Sequence, residues 1–122
     1  MLIALIASML LGSGSFGIMD FIAETRADAK VVIVDQDRRA AALATLKDMK
    51  IRAATMNKET NKRVKQLNKI LQPYDIDKAA VEAIWAEHFE QVDQYNRDMI
   101  DYRYELKEYV TREEWQQLFG LE

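Results

Sequence analysis

This chain has no cysteine, one proline, one histidine and four glycines, three of them within the first seventeen residues. Without cysteine it can form no disulfide, thiolate metal site, thiol nucleophile or lipid-bearing cysteine anchor. So little glycine and proline leaves almost no material for turns, so a many-stranded β architecture is excluded and helices are expected. The net charge is −3, which gives no electrostatic reason to expect nucleic-acid binding. At 122 residues the chain has room for one globular domain at most. Charge is also missing locally, because residues 1–19 carry no ionisable side chain.

That uncharged stretch is almost continuously apolar from Leu2 to Leu11, and as a helix it would extend ~28 Å at 1.5 Å per residue. That length approaches the hydrocarbon thickness of a bilayer. Ala4, Ser8 and Gly12 form a row of small residues along which membrane helices can approach closely. A cleaved signal peptide is the rival reading, although no basic residue precedes the apolar run and no clear A-x-A site follows it. Residues 1–22 are therefore expected to be a transmembrane anchor or signal segment, and 23–34 a linker or helix extension. Arg26, Lys30, Arg38 and Arg39 would hold the remainder in the cytoplasm by the positive-inside rule. An apolar run at the extreme N-terminus instead suits export, and export is the reading adopted. Val31-Val32-Ile33-Val34 would make a lone strand with no partner to satisfy its backbone, so helix or linker is expected there.

Residues 35–122 read as a helical hairpin. Asp35 or Asp37 can cap a helix running to Leu71, whose apolar row is Ala42, Leu46, Met49, Ala53, Met56, Thr60, Val64 and Leu67. Pro73 breaks it, since a proline inside a helix loses a hydrogen bond and clashes with the preceding turn. Asp75 or Asp77 caps a second helix with an unbroken heptad seam of Val81, Trp85, His88, Val92, Tyr95, Met99, Tyr102, Leu106 and Tyr109. Thr111-Arg112-Glu113-Glu114 has the form of a capping box and opens a short helix, Arg112–Phe119. An antiparallel register centred on Tyr74 opposes Leu67 to Val81, Thr60 to His88, Met56 to Val92 and Met49 to Met99. It also sets small residues against large ones at Ala53/Tyr95 and Ala42/Leu106.

Charge supports the same pairing. Residues 35–71 hold ten basic and four acidic side chains, a balance of +6, and residues 75–108 hold the reverse, −6. Exposed ion pairs contribute only ~0–1 kcal/mol each, so this complement selects the partner helix more than it stabilises it. The basic run Lys58–Lys69 is accordingly read as facing acidic neighbours, not a phosphate backbone. Ile84, Phe89 and Ile100 lie beside the seam, and homodimerisation into a four-helix bundle would bury that edge.

No nucleophile–base pair, phosphate-binding glycine loop or convergent carboxylate cluster is recognisable, so a non-enzymatic protein without a cofactor is expected. His88, with Glu87 beside it and Glu59 near the facing turn, is the candidate metal or proton-sensing group. Against that stands a structural histidine in the seam, and Met49, Met56 and Met99 read as packing residues. Tyr104, which falls outside the seam, forms a candidate interaction surface with Trp115 and Phe119.

The N-terminal export segment, the turn Leu71-Gln72-Pro73-Tyr74-Asp75 between two long helices, and Thr111 opening a last helix resemble the periplasmic heavy-metal-resistance and Spy-like chaperone group. That resemblance implies antiparallel helical hairpins that dimerise and either sense metals or shield unfolded clients. The function it implies is an accessory role in stress response or protein protection in the bacterial envelope. The soluble domain would be periplasmic, anchored to the inner membrane through residues 1–22 or released by cleavage. Two other roles remain open: an adaptor subunit docking a larger membrane complex, and a metal- or pH-responsive sensor built on His88.

Overall fold

The computed structural model describes residues 18–120, and among them every regular element is a helix. We label these α1 (Ile18–Val32), α2 (Gln36–Leu71), α3 (Lys78–Tyr109) and α4 (Arg112–Phe119). The all-helical class is as expected from the sequence. None of these helices is long and apolar enough to cross a membrane, and the expected anchor or signal lies mostly outside the described residues. The described residues divide into two compact units, Thr55–Asn96 and a second made of 18–54 with 97–120.

The first unit holds the turn between α2 and α3. Residues 72–77 leave helical geometry around Pro73, and Asp77 restarts the helix by accepting the Ala80 N–H on Oδ1 at 3.2 Å. Leu67 and Ile84 are the buried pair at the centre of this unit, with Val64, Ile70, Leu71 and Val81 packed around them. Burying each such side chain stabilises by roughly 1.5–3 kcal/mol. Within this unit the fully buried positions shift by one at one place in each helix, and the expected α3 seam residues Val81, Val92 and Tyr95 are only partly buried. On α2 it runs Met56, Thr60, Arg63, Leu67, with Arg63 in the place expected for Val64. On α3 Ile84 is buried and Trp85 is exposed. Ile84 therefore belongs to the core and not to the free apolar edge assigned to it from sequence. The physical reason is chemical, because a branched aliphatic packs on Leu67 without a polar atom to satisfy, whereas an indole N–H needs a partner.

In the second unit α1 is amphipathic. Ile22, Thr25, Ala29 and Ile33 recur at helical spacing and are all buried, and the Thr25 hydroxyl donates to the Phe21 carbonyl at 2.8 Å. Thus α1 runs through the boundary placed at residue 22 and continues as a helix to Val32, where Ile33 and Val34 form the link to α2. Asp35 caps α2 by accepting the Arg38 N–H at 2.9 Å. Ala42, Thr45, Leu46 and Ala53 line the buried side of α2, and Leu106 of α3, Val110 just after it and Leu118 of α4 are buried in the same unit. The Phe21 ring stacks on Phe119 at 6.0 Å, joining α1 to α4. Arg52 Nε donates to Asp98 Oδ2 at 2.8 Å, flanking the expected Met49/Met99 pair.

α4 begins and ends on strong local signals. Thr111 accepts the Glu114 N–H on Oγ1 at 3.2 Å, and the Glu114 carboxylate accepts the Thr111 N–H at 2.9 Å, closing the capping box. Gly120 stops the helix in the left-handed region at φ 62°, donating its N–H to the Gln116 carbonyl at 2.7 Å.

Candidate functional site

His88, the group singled out for metal or proton sensing, lies in the first unit and is 5% exposed. Arg63, 4% exposed, donates from Nε to His88 Nδ1 at 3.2 Å, and its Nη2 reaches Thr60 Oγ1 at 3.4 Å. That bond assigns Nδ1 as the acceptor nitrogen of the ring. A guanidinium is costly to bury without acceptors, so His88 serves here as a structural partner of Arg63. Glu59 stands one turn before Arg63 on α2, with Oε2 buried and without a hydrogen-bond partner. Glu87 is exposed. His88, Glu87 and Glu59 are thus not brought together as ligands. Among the described residues no group of three or more histidine and acidic side chains could hold a metal ion.

The neighbours of His88 on α3 face the other way. Trp85 and Phe89 are exposed, Phe89 to 54%, with ring centroids 5.7 Å apart and planes tilted by 34°. The rings of the chain neighbours His88 and Phe89 are 6.0 Å apart and tilted by 58°. Ring pairs of this kind hold each other by ~0.5–1.5 kcal/mol, which presents a fixed apolar ridge and not two independent side chains. Tyr74 and Ile76, in the turn of the same unit, are exposed as well. The residue spacing singled out Trp85 as seam and Phe89 as edge. Only the local rotation of the buried line toward Ile84 places them together outside.

The expected interaction trio falls in the second unit, and its members have different surroundings. Tyr104 is 61% exposed on α3. Trp115 and Phe119 are half-buried and pack on each other at 4.6 Å. Phe119 reaches α1 through Phe21, and the Arg103 guanidinium covers the Trp115 ring at 4.9 Å from its centroid. Trp115 and Phe119 therefore tie α4 to its neighbours, and Tyr104 is the freely presented member.

One constellation was not singled out from sequence. Arg38 binds both carboxylate oxygens of Glu114 and donates to the Tyr109 carbonyl at 3.1 Å, linking the start of α2 to the end of α3 and the start of α4. The hydrogen bond from Arg38 holds the Glu114 carboxyl below its ordinary range, burial opposes this, and the capping bonds from Thr111 add to it. The Arg38 guanidinium is in turn held more firmly protonated by the same bond. The capping motif pointed to Glu114, but no local pattern pointed to Arg38, which lies 76 positions away in sequence.

Comparisons with protein-family models, with curated proteins and with solved structures give no match.

Proposed function

We propose that this chain is a non-enzymatic accessory protein of the bacterial envelope with a chaperone-like role, engaging exposed apolar stretches of other proteins through the aromatic ridge of α3. The observation that carries this reading is the exposed, mutually packed pair Trp85 and Phe89. Side chains of this kind are costly to leave in water and are over-represented where binding energy concentrates. In the finer form of the proposal, the α2–α3 hairpin dimerises and residues 1–22 anchor or export it. The apolar run from Leu2 to Leu11 supports that placement.

The test is suppression of aggregation of a chemically reduced, unfolding client. Purified wild-type chain should slow light scattering in proportion to its concentration. Trp85→Ala/Phe89→Ala should lose most of that effect while retaining its helical circular dichroism, because truncation at exposed positions costs folding little. Equal protection by the double variant would reject the assignment. For the location, a reporter fused after Glu122 should be active only outside the cytoplasm, and cytoplasmic activity would reject export.

A second reading is supported by the Arg63–His88 bond. A proton arriving on Nδ1 would remove the acceptor and set two N–H donors against each other in a buried site. Arg63 on α2 is the charged group bonded to the ring. An acid-triggered loosening of this unit that disappears in His88→Gln would favour a sensor. An identical acid response in the variant would exclude it.

A further inference from the structure

Beyond that reading, the second unit contains a cavity of about 510 Å³ lined by Arg103, Lys107, Val110, Thr111, Arg112, Trp115 and Gln116. Three of these are cations, and no acidic side chain is among them. No ion pair involving Arg103, Lys107 or Arg112 is found among the described residues, although the chain as a whole is net negative. The polar lining consists almost wholly of donors. Two guanidiniums, one ammonium, the Thr111 hydroxyl and the Gln116 amide all have N–H or O–H groups to give. Thr111 Oγ1 already accepts from the Glu114 N–H, which leaves its own hydrogen to donate. Arg103 is held over the Trp115 ring at 4.9 Å, so one guanidinium is oriented before any ligand arrives.

We infer that this cavity binds a phosphate group. Like charges gathered around one concavity repel, and an anion entering it relieves that repulsion. A phosphate offers several acceptor oxygens to a lining of donors, and arginine forks match its geometry. The same chemistry arrives either as free phosphate or as a lipid phosphate headgroup.

The experiment uses the full chain with Trp85→Phe, so that Trp115 alone reports by fluorescence. Inorganic phosphate is titrated in one arm. Phosphatidylcholine vesicles with and without about one-fifth phosphatidic acid are titrated in the other. The inference requires a saturable Trp115 change in at least one arm, weakened about tenfold or more by Lys107→Gln/Arg112→Gln. These two positions are exposed, so the variant is expected to keep its helicity, which circular dichroism checks. A change with phosphate alone identifies the free anion. A change that also depends on phosphatidic acid and is lost in the variant identifies the lipid headgroup. Lys58→Gln/Lys62→Gln, in the first unit, should leave binding unchanged. No saturable change in either arm overturns the site, as does equal weakening by the two double variants, which would mark attraction to charge in general.

Discussion

Replacing His88 by Leu removes, among the contacts of the ring, the acceptor that Arg63 Nε finds inside the first unit. The two side chains differ little in volume, so the change removes a hydrogen-bond acceptor without opening a large cavity. Hydrogen bonds to charged groups contribute about 1.5–3 kcal/mol, and a buried donor left without its acceptor loses that and its solvation as well. With Arg63 at 4% exposure, water cannot replace the imidazole cheaply. His88→Leu should therefore cost about 2–3 kcal/mol. Arg63→Met takes its donor from His88 Nδ1 and should cost about 1–2 kcal/mol. The double variant exchanges a polar pair for an apolar one and should sit within about 1 kcal/mol of wild type. With a urea m-value of about 2 kcal/mol/M, the first substitution lowers the midpoint by about 1–1.5 M and the double substitution restores most of it. Denaturation followed by circular dichroism at two protein concentrations separates this from any association. Costs that simply add, each below about 0.5 kcal/mol, would refute the view that these residues act as a pair.

Two further outcomes follow from the helix ends of the second unit. Gly120→Ala should destabilise by about 1–2 kcal/mol, because Gly120 has φ 62° and the cost is conformational, with no atom of the described residues within 4 Å of the added methyl group. Thermal unfolding checks it, and an unchanged midpoint would mean that α4 does not end there in solution. Glu114→Gln should destabilise above about pH 5, and the difference from wild type should shrink as the pH falls below the ordinary carboxylate range. The sign follows from the lowered carboxyl of Glu114: the stabilisation is complete above the unfolded-state value and is lost as pH drops through the native one. A difference that stays constant down to pH 3 would show that the Arg38 contact contributes nothing through charge.

Signals carried by local chemistry were legible in the sequence. The cap at Thr111, the break at Pro73 and the limits of α4 follow from residues a few positions apart, whereas the choice of Asp35 over Asp37 and of Asp77 over Asp75 came only from the structure. The buried character of Leu46, Ala53, Met56, Leu67, His88 and Leu106 followed from heptad spacing. What spacing could not fix was the rotation of each helix near the turn. On α3 the one-position change keeps the apolar count, with Ile84 in the place assigned to Trp85, whereas on α2 Arg63 replaces an apolar residue, Val64, and is accommodated by its bonds to His88 and Thr60. Arg63 was hidden for a second reason, since its neighbours Lys58, Lys62, Lys65 and Lys69 made it look like part of a solvated basic face. α1 was expected only as one alternative, a helix extension over 23–34, because its stripe of Ile22, Thr25, Ala29 and Ile33 follows directly on the apolar run. Arg38 and Glu114 meet only through tertiary structure.

The interaction role of the α3 ridge is most directly tested by giving Trp85 the only indole in the chain. In Trp115→Phe, adding a reduced, unfolded client should shift the Trp85 emission to the blue in a saturable way as the ring leaves water, and Phe89→Ala should weaken that binding by about tenfold or more, corresponding to the ~1–2 kcal/mol carried by an anchor residue. An emission maximum that stays fixed while the client is demonstrably bound would place the contact elsewhere and contradict the role proposed for Trp85 and Phe89.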